Sequence, residues 1–155
     1  MLFRSRPGLD DEAVRRERHA RDEALAQILD EDGIGAFVAW WESQTVLKPV
    51  RRPPEEAIEE LRARRLNQDP HGLAACLRCL GQAAMDDLRP RLPTLTMPVL
   101  LIEGAADTAF HADIATMASL IPRARRATIP DCGHAVHREA PQELLDAVHR
   151  FLSEP

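Results

Sequence analysis

Between Pro98 and Gly104 the chain carries four aliphatic residues in unbroken order, Val99-Leu100-Leu101-Ile102. A strand with one wet face alternates apolar and polar positions. An unbroken run of this length predicts a strand at about 98–103 that is covered on both faces, as in parallel sheets flanked by helices. The sequence that follows has the matching parts. A helix is predicted over about 112–120, and a second strand over 125–130. The loop Asp131-Cys132-Gly133-His134 then leads to a last helix begun by Pro141, with Leu144, Leu145, Val148, Phe151 and Leu152 on one face. Strand, helix, strand and helix at these spacings make a parallel βαβ unit with helices packed on the sheet.

The residues before Pro98 read as helices. Leu2-Phe3 is a short apolar stub at 2–4, followed by the turn-like Ser5-Arg6-Pro7-Gly8. Asp10 and Asp11 offer an N-cap and an acidic first turn for a helix to about Asp32. Its stripe is narrow: Val14, Ala20, Ala24, Leu25, Ile28 and Leu29. Gly33 and Gly35 end it, and a second short helix covers Ala36 to Trp41. Pro49, Pro53 and Pro54 mark a connector, with Pro54 at the first turn of a third helix through Arg65. Asp69-Pro70 starts a fourth, carrying Leu73, Cys76, Leu77 and Leu80 at helical spacing. The predicted organisation is 1–9 as strand stub and turn, 10–90 as a helical layer, and 91–155 as the βαβα part of an α/β fold.

Composition narrows the function classes. A chain of 155 residues fits one ordinary domain. Its net charge of −5 gives no electrostatic footprint for nucleic acid. No apolar run approaches the ~20 residues of a membrane span, and the charged opening is not a secretory signal. Three cysteines make a disulfide framework an unsuitable reading and a reducing cytoplasm the expected setting. Cys76-x-x-Cys79 together with Cys132, His134 and His137 has the donor types of a zinc site. A single C-x-x-C pair on a helix with an apolar stripe reads instead as small buried apolar residues.

Asp107 follows the first buried strand and His134 follows the second. In open parallel sheets, ligand chemistry collects beyond the carboxyl ends of strands, and neighbouring strands lie ~5 Å apart. A carboxylate beside an imidazole there fixes the ring tautomer and stabilises the imidazolium, leaving the other ring nitrogen to act as a base. Gly133 is expected to supply the tight turn that presents the ring. On position alone, a turn aspartate and a loop histidine with no chemistry are an equal reading.

Taken in order, Pro98-Val99-Leu100-Leu101-Ile102-Glu103-Gly104-Ala105-Ala106-Asp107, Ile121-Pro122, Gly133-His134 and Glu139-Ala140-Pro141 resemble the carboxyl-terminal part of the α/β-hydrolase family. The resemblance implies that Asp107 and His134 are the acid and base of a catalytic triad. The family order is nucleophile, acid, base, so the nucleophile belongs before Asp107. The serines are Ser5, Ser43, Ser119 and Ser153, and none stands in a Gly-x-Ser-x-Gly elbow. Cys79 precedes Leu80-Gly81, but Leu77 occupies the elbow glycine position. The glycine-rich oxyanion loop is missing as well. The resemblance thus covers the last strands of the fold and the helical cap before them, and roughly the first hundred residues of a complete enzyme are expected to be absent.

The cap narrows the resemblance further. Ser5-Arg6-Pro7-Gly8-Leu9, Glu17-Arg18…Asp22, Phe37…Trp41, Arg65…Asn67…Gly72-Leu73-Ala74 and Gly133-His134…His137-Arg138-Glu139…Pro141 are similar to the 2-succinyl-6-hydroxy-2,4-cyclohexadiene-1-carboxylate synthases of the menaquinone pathway. In that family the triad removes a substrate proton and pyruvate is eliminated, without metal or organic cofactor. A serine oxygen activated by the histidine serves as the base. The substrate is a small polycarboxylate, and the resemblance implies Arg18, Trp41 and Arg65 as binding residues. Planar guanidinium forks match the two oxygens of a carboxylate. Trp40 is the alternative ring, and Arg62 and Arg64 crowd Arg65. One position departs from the family: a lysine is usual between the triad aspartate and the following phenylalanine, and here Ala109 stands before Phe110. Either substrate preference has shifted or another cation, such as Arg138, compensates.

Two rival functions follow from the same residues. One is a carboxylic-ester hydrolase of the same fold, because fold does not fix reaction. The other is a non-catalytic interaction module, which the missing serine elbow favours. On either enzymatic reading the partner expected is a complementary amino-terminal fragment, with no nucleic acid and no membrane. A parallel sheet short of strands leaves unpaired backbone groups at an edge, so the isolated chain is expected to be marginally stable.

Overall fold

The computed structural model describes residues 2–3 and 6–153. Arg4 and Ser5, assigned above to the strand stub and its turn, lie outside the described residues. The chain forms two compact units. The helical unit comprises Gly8–Gln44 and Pro54–Asp87, and the sheet unit comprises Met1–Pro7, Thr45–Pro53 and Leu88–Pro155. The stretch 10–90, read from sequence as one helical layer, is therefore interrupted by 45–53, which packs with the sheet.

The helical unit contains α1 (Glu12–Glu31), α2 (Gly33–Ser43), α3 (Glu55–Leu66) and α4 (Pro70–Leu80). Asp11 caps α1 by accepting from the Ala13 and Val14 N–H groups, and Asp69 caps α4 by accepting from His71 and Gly72. Each cap satisfies donors that have no partner inside the helix. Gly33 has φ +77°, the left-handed conformation that ends α1 and lets α2 begin at once. The inward stripe of α1 is Asp22, Leu25, Ala26 and Leu29, packed with Phe37 and Ala74. Val14, Ala20 and Ala24 are exposed, so the stripe lies one step round from the predicted one and includes a carboxylate. On α4, Leu73, Ala74 and Leu77 turn inward, whereas Cys76, Cys79 and Leu80 are exposed, Leu80 at 75%.

Among the described residues the sheet unit has three parallel strands, β1 (Leu2–Phe3), β2 (Val99–Gly104) and β3 (Ala124–Ile129), in the order β1-β2-β3. Leu101 is opposite Leu2 on one side and Arg126 on the other. Short 3-10 turns at Thr45–Leu47 and Arg89–Thr94 and helices α5 (His111–Leu120), α6 (Val136–Glu139) and α7 (Pro141–Ser153) complete it. All six β2 residues are buried. Alternation along the strand sends Leu100 and Ile102 to one face, against Val136, Ala140 and Ala147, and Val99 and Leu101 to the other, against Leu92, Ile114 and Met117. This two-sided burial is the condition that the unbroken aliphatic run predicts. On α7 the inward residues are Leu144, Ala147, Val148 and Phe151, while Leu145 and Leu152 face outward. Among the described residues no strand pairs with the far side of β1. No helix among them is long and apolar enough to cross a membrane.

Candidate active site

Parallel register puts the ends of β2 and β3 side by side, with Gly104 opposite Ile129. The two chain segments leaving those ends are laced together. Ala105 N–H donates to the Ile129 carbonyl at 2.8 Å, and Ala106 N–H donates to the Cys132 carbonyl at 2.9 Å. Gly104 is required by this closeness, because a Cβ there would overlap the carbonyls of Cys132 and Gly133. The turn after β2 then closes with Asp107 N–H donating to the Gly104 carbonyl, 3.0 Å away.

Out of these two loops come Asp107 and His134. Asp107 Oδ2 lies 2.7 Å from His134 Nδ1, and the residues are 7% and 8% exposed. An ionised carboxylate at this distance selects the tautomer with the proton on Nδ1. Asp107 Oδ1 is buried and, among the described residues, accepts no hydrogen bond. Unpaired buried acceptors are uncommon, and a reactive role is one recognised reason for them. The Phe110 ring packs on the imidazole with centroids 4.6 Å apart. The Arg6 guanidinium lies 4.3 Å above the Phe110 ring and is ion-paired with Asp113 at 2.9 Å.

The histidine loop is organised by Glu139, a residue that the sequence reading used only as a family marker. Its carboxylate is 7% exposed. It accepts from Gly133 N–H (3.0 Å) and Ala135 N–H (3.2 Å), the amides on either side of His134. It also accepts from Val50 N–H (2.8 Å) and Arg51 N–H (3.1 Å) in the connector. Burial pushes the Glu139 carboxyl upward, but these four backbone donors outweigh it and hold the group below its ordinary value. Gly133 serves this carboxylate, since a Cβ there would stand 3.0 Å from Glu139 Oε1. The turn conformation expected of Gly133 belongs to Asp131, at φ +49°. Arg51 adds a second clamp: its side chain donates to the carbonyls of Pro130 and Asp131, both at 3.0 Å, and pairs with Glu143. The motif spacing Gly-His-x4-Glu was the available signal for Glu139. No local pattern marks Arg51.

A cavity of about 320 Å³ opens in front of the pair. Its walls include Thr45, Lys48, Asp107, Thr108, Ala109 and His134.

The implied binding residues lie in the helical unit. Arg18 donates to Asp22 Oδ1 (2.8 Å) and Gln82 Oε1 (2.5 Å), and Asp22 is buried. Trp41 packs on Phe37, with ring centroids 5.9 Å apart, and Trp40 completes the aromatic group. Arg65 pairs with Glu42 at 3.2 Å, and Arg62 pairs with the same carboxylate at 2.6 Å. The α2–α3 pair thus places Arg65 near the residue next to Trp41, while Arg18 belongs to a separate group on α1. Among the described residues no three His, Cys, Asp or Glu side chains are grouped to hold a metal ion. Cys76 and Cys79 are exposed, contrary to their reading as buried apolar residues, because α4 turns Leu73, Ala74 and Leu77 inward. Cys132 is buried, and burial, with the nearby Glu139 charge, pushes its thiol up to about 11.

No protein-family model matches the chain. Among curated proteins it is 35% identical, over 99% of its length, to a Bacillus subtilis protein provisionally named 2-succinyl-6-hydroxy-2,4-cyclohexadiene-1-carboxylate synthase, of which it covers 56%. It is 30% identical over 94% of its length to the Salmonella arizonae synthase of that name, covering 55% of it. Among solved structures, MenH from S. aureus matches 99% of this chain with a TM-score of 0.94 and 35% identity, over 57% of that chain. A Thermogutta terrifontis esterase, solved with malate bound, matches 97% of this chain with a TM-score of 0.75 and 26% identity, over 54% of that chain. The chain thus spans little more than half the length of the relatives it matches. It has the fold of the carboxyl-terminal part of an α/β-hydrolase, and it resembles the 2-succinyl-6-hydroxy-2,4-cyclohexadiene-1-carboxylate synthases along nearly its whole length.

Proposed function

We propose that this chain supplies the acid, the base and part of the substrate pocket of a cytoplasmic carbon–oxygen lyase that eliminates pyruvate in menaquinone biosynthesis. The supporting observation is the buried pair of Asp107 and His134, 2.7 Å apart at neighbouring strand ends, in a chain so similar to the synthases. An amino-terminal segment must bring a serine hydroxyl and the oxyanion donors. His134 takes the proton from that hydroxyl, and Asp107 stabilises the imidazolium that forms. The serine oxygen then removes a proton from a substrate carbon. The electron pair left behind forms a double bond as a C–O bond breaks, and the departing enolate takes the proton held by the His134 imidazolium to become pyruvate, which returns the serine hydroxyl and the neutral imidazole. Arg18, Trp41 and Arg65 are the proposed substrate contacts. Elimination needs no metal or organic cofactor on this reading.

The esterase relative favours a second reading, hydrolysis of a carboxylic ester through the same acid and base. One experiment separates the two. The chain is co-expressed with the portion of the Bacillus subtilis relative that precedes the matched region, and the purified complex is assayed for pyruvate release and for ester hydrolysis. Pyruvate release is expected. Ester hydrolysis without pyruvate assigns the second reading, and a folded complex inert in both assays returns the chain to the class of interaction modules.

A further inference from the structure

The cavity in front of His134 has one lysine or arginine in its wall, Lys48. This is also the only lysine in a chain with nineteen arginines. The Lys48 side chain makes no hydrogen bond or ion pair among the described residues, so its charge is not consumed by a protein carboxylate. Its backbone is held in place on both sides. Lys48 N–H donates to the Thr45 carbonyl at 3.1 Å, closing the 3-10 turn Thr45–Leu47. Two residues later, Val50 and Arg51 are fixed by Glu139, the carboxylate that also holds the amides flanking His134. The lysine and the imidazole are thus referenced to one buried group. Ala109, the position where the family resemblance leads one to expect a lysine, lines the same cavity, and Arg138 does not.

We propose that Lys48 is a substrate-binding residue, whose ammonium holds a carboxylate of the substrate in the cavity facing Asp107 and His134. The proposal deepens the lyase reading and rests on it for the identity of the anion. The chemistry is that of a point charge. An anion entering this cavity meets the negative charge of Asp107 behind the imidazole, and Lys48 is the group in the wall that offsets it. The ammonium on its flexible stem accommodates carboxylates at several angles, whereas a guanidinium fork demands a coplanar approach. Thr45 and Thr108 add hydroxyl groups to the same wall. The small Ala109 side chain leaves the opening that a lysine there would fill.

The test is a titration of the chain with succinate, following the imidazole signals of His134 by NMR, in wild type, Lys48→Gln and Lys48→Arg. His134 is assigned by the loss of its signals in His134→Gln. Wild type is expected to show saturable shifts of the His134 ring. Lys48→Gln is expected to weaken the apparent affinity about tenfold, the loss of one charge-assisted hydrogen bond. Lys48→Arg should recover part of it. Lys48 is exposed, so both variants should keep the wild-type unfolding midpoint. Equal affinity in wild type and Lys48→Gln overturns the proposal, and so does a His134 ring that does not respond to succinate in wild type. The readout does not depend on turnover. A complex that binds succinate through Lys48 yet releases no pyruvate sinks the lyase reading and leaves the lysine site standing.

Discussion

Replacing Asp107 with asparagine in the chain, assayed together with its amino-terminal complement, is expected to lower the rate of pyruvate release about 10³- to 10⁴-fold. The substitution keeps the shape of the side chain, and both residues are buried, so the fold has little reason to change. What changes is the proton. A carboxylate at 2.7 Å from Nδ1 compels a proton on that nitrogen and lowers the energy of the imidazolium. An amide carries no charge, and its NH₂ group can turn toward the ring and reverse the tautomer. His134 then presents the wrong nitrogen state to a serine hydroxyl. A drop of less than tenfold would show that the pair is structural.

Replacing Glu139 with alanine is expected to destabilise the sheet unit by about 3–4 kcal/mol, read as a lower urea midpoint with an unchanged slope. Four backbone N–H groups lose their acceptor, two beside His134 and two in the connector. The connector amides regain water at exposed Val50 and half-buried Arg51, whereas Gly133 is buried and cannot. A net stability of ~5–15 kcal/mol is ordinary for a domain, so the loss is a large fraction of it. The same carboxylate gives a pH signature. Its value in the folded chain is held below the ordinary one. Its contribution to stability is therefore complete above the unfolded value, near 4.5, and is lost as pH falls through the lower folded value. Glu139→Gln should flatten that acid limb and lose less at neutral pH than Glu139→Ala. A wild-type stability profile identical in shape to that of Glu139→Gln would contradict the assignment.

Which parts of this were legible in the sequence follows from the range over which each interaction acts. The unbroken Val99–Ile102 run marks β2 because two-sided burial leaves no polar alternation. Asp11 and Asp69 mark helix starts because capping is settled within three residues. That Asp107 and His134 are neighbours was legible because each lies within a few residues of the end of one of two adjacent strands. Faces of helices were read less well. The α1 stripe includes Asp22, which no apolar pattern selects, since its burial depends on Arg18 one turn earlier and on the segment after α4. Leu145 and Leu152 were assigned inward on α7, and Leu152 is 73% exposed.

The connector 45–53 was the largest misreading of organisation. Its place with the sheet unit depends on Glu139, 89 positions along the chain from Val50. Nothing in Pro49 or Pro53 announces that partner. Gly133 was correctly seen as constrained and wrongly explained. Local chemistry suggested a turn, whereas the constraint is steric and comes from a carboxylate six residues on. Arg51 is hidden for the same reason, because its partners Pro130, Asp131 and Glu143 lie far along the chain.

The central claim is that an ionised carboxylate fixes the His134 imidazole as a base with its proton on Nδ1. Nitrogen-15 NMR of the chain at neutral pH tests this without substrate or complement. The account predicts a protonated Nδ1 with a strongly downfield-shifted hydrogen that disappears in Asp107→Asn, together with an unprotonated Nε2. A His134 ring carrying its proton on Nε2, unchanged by Asp107→Asn, would contradict it.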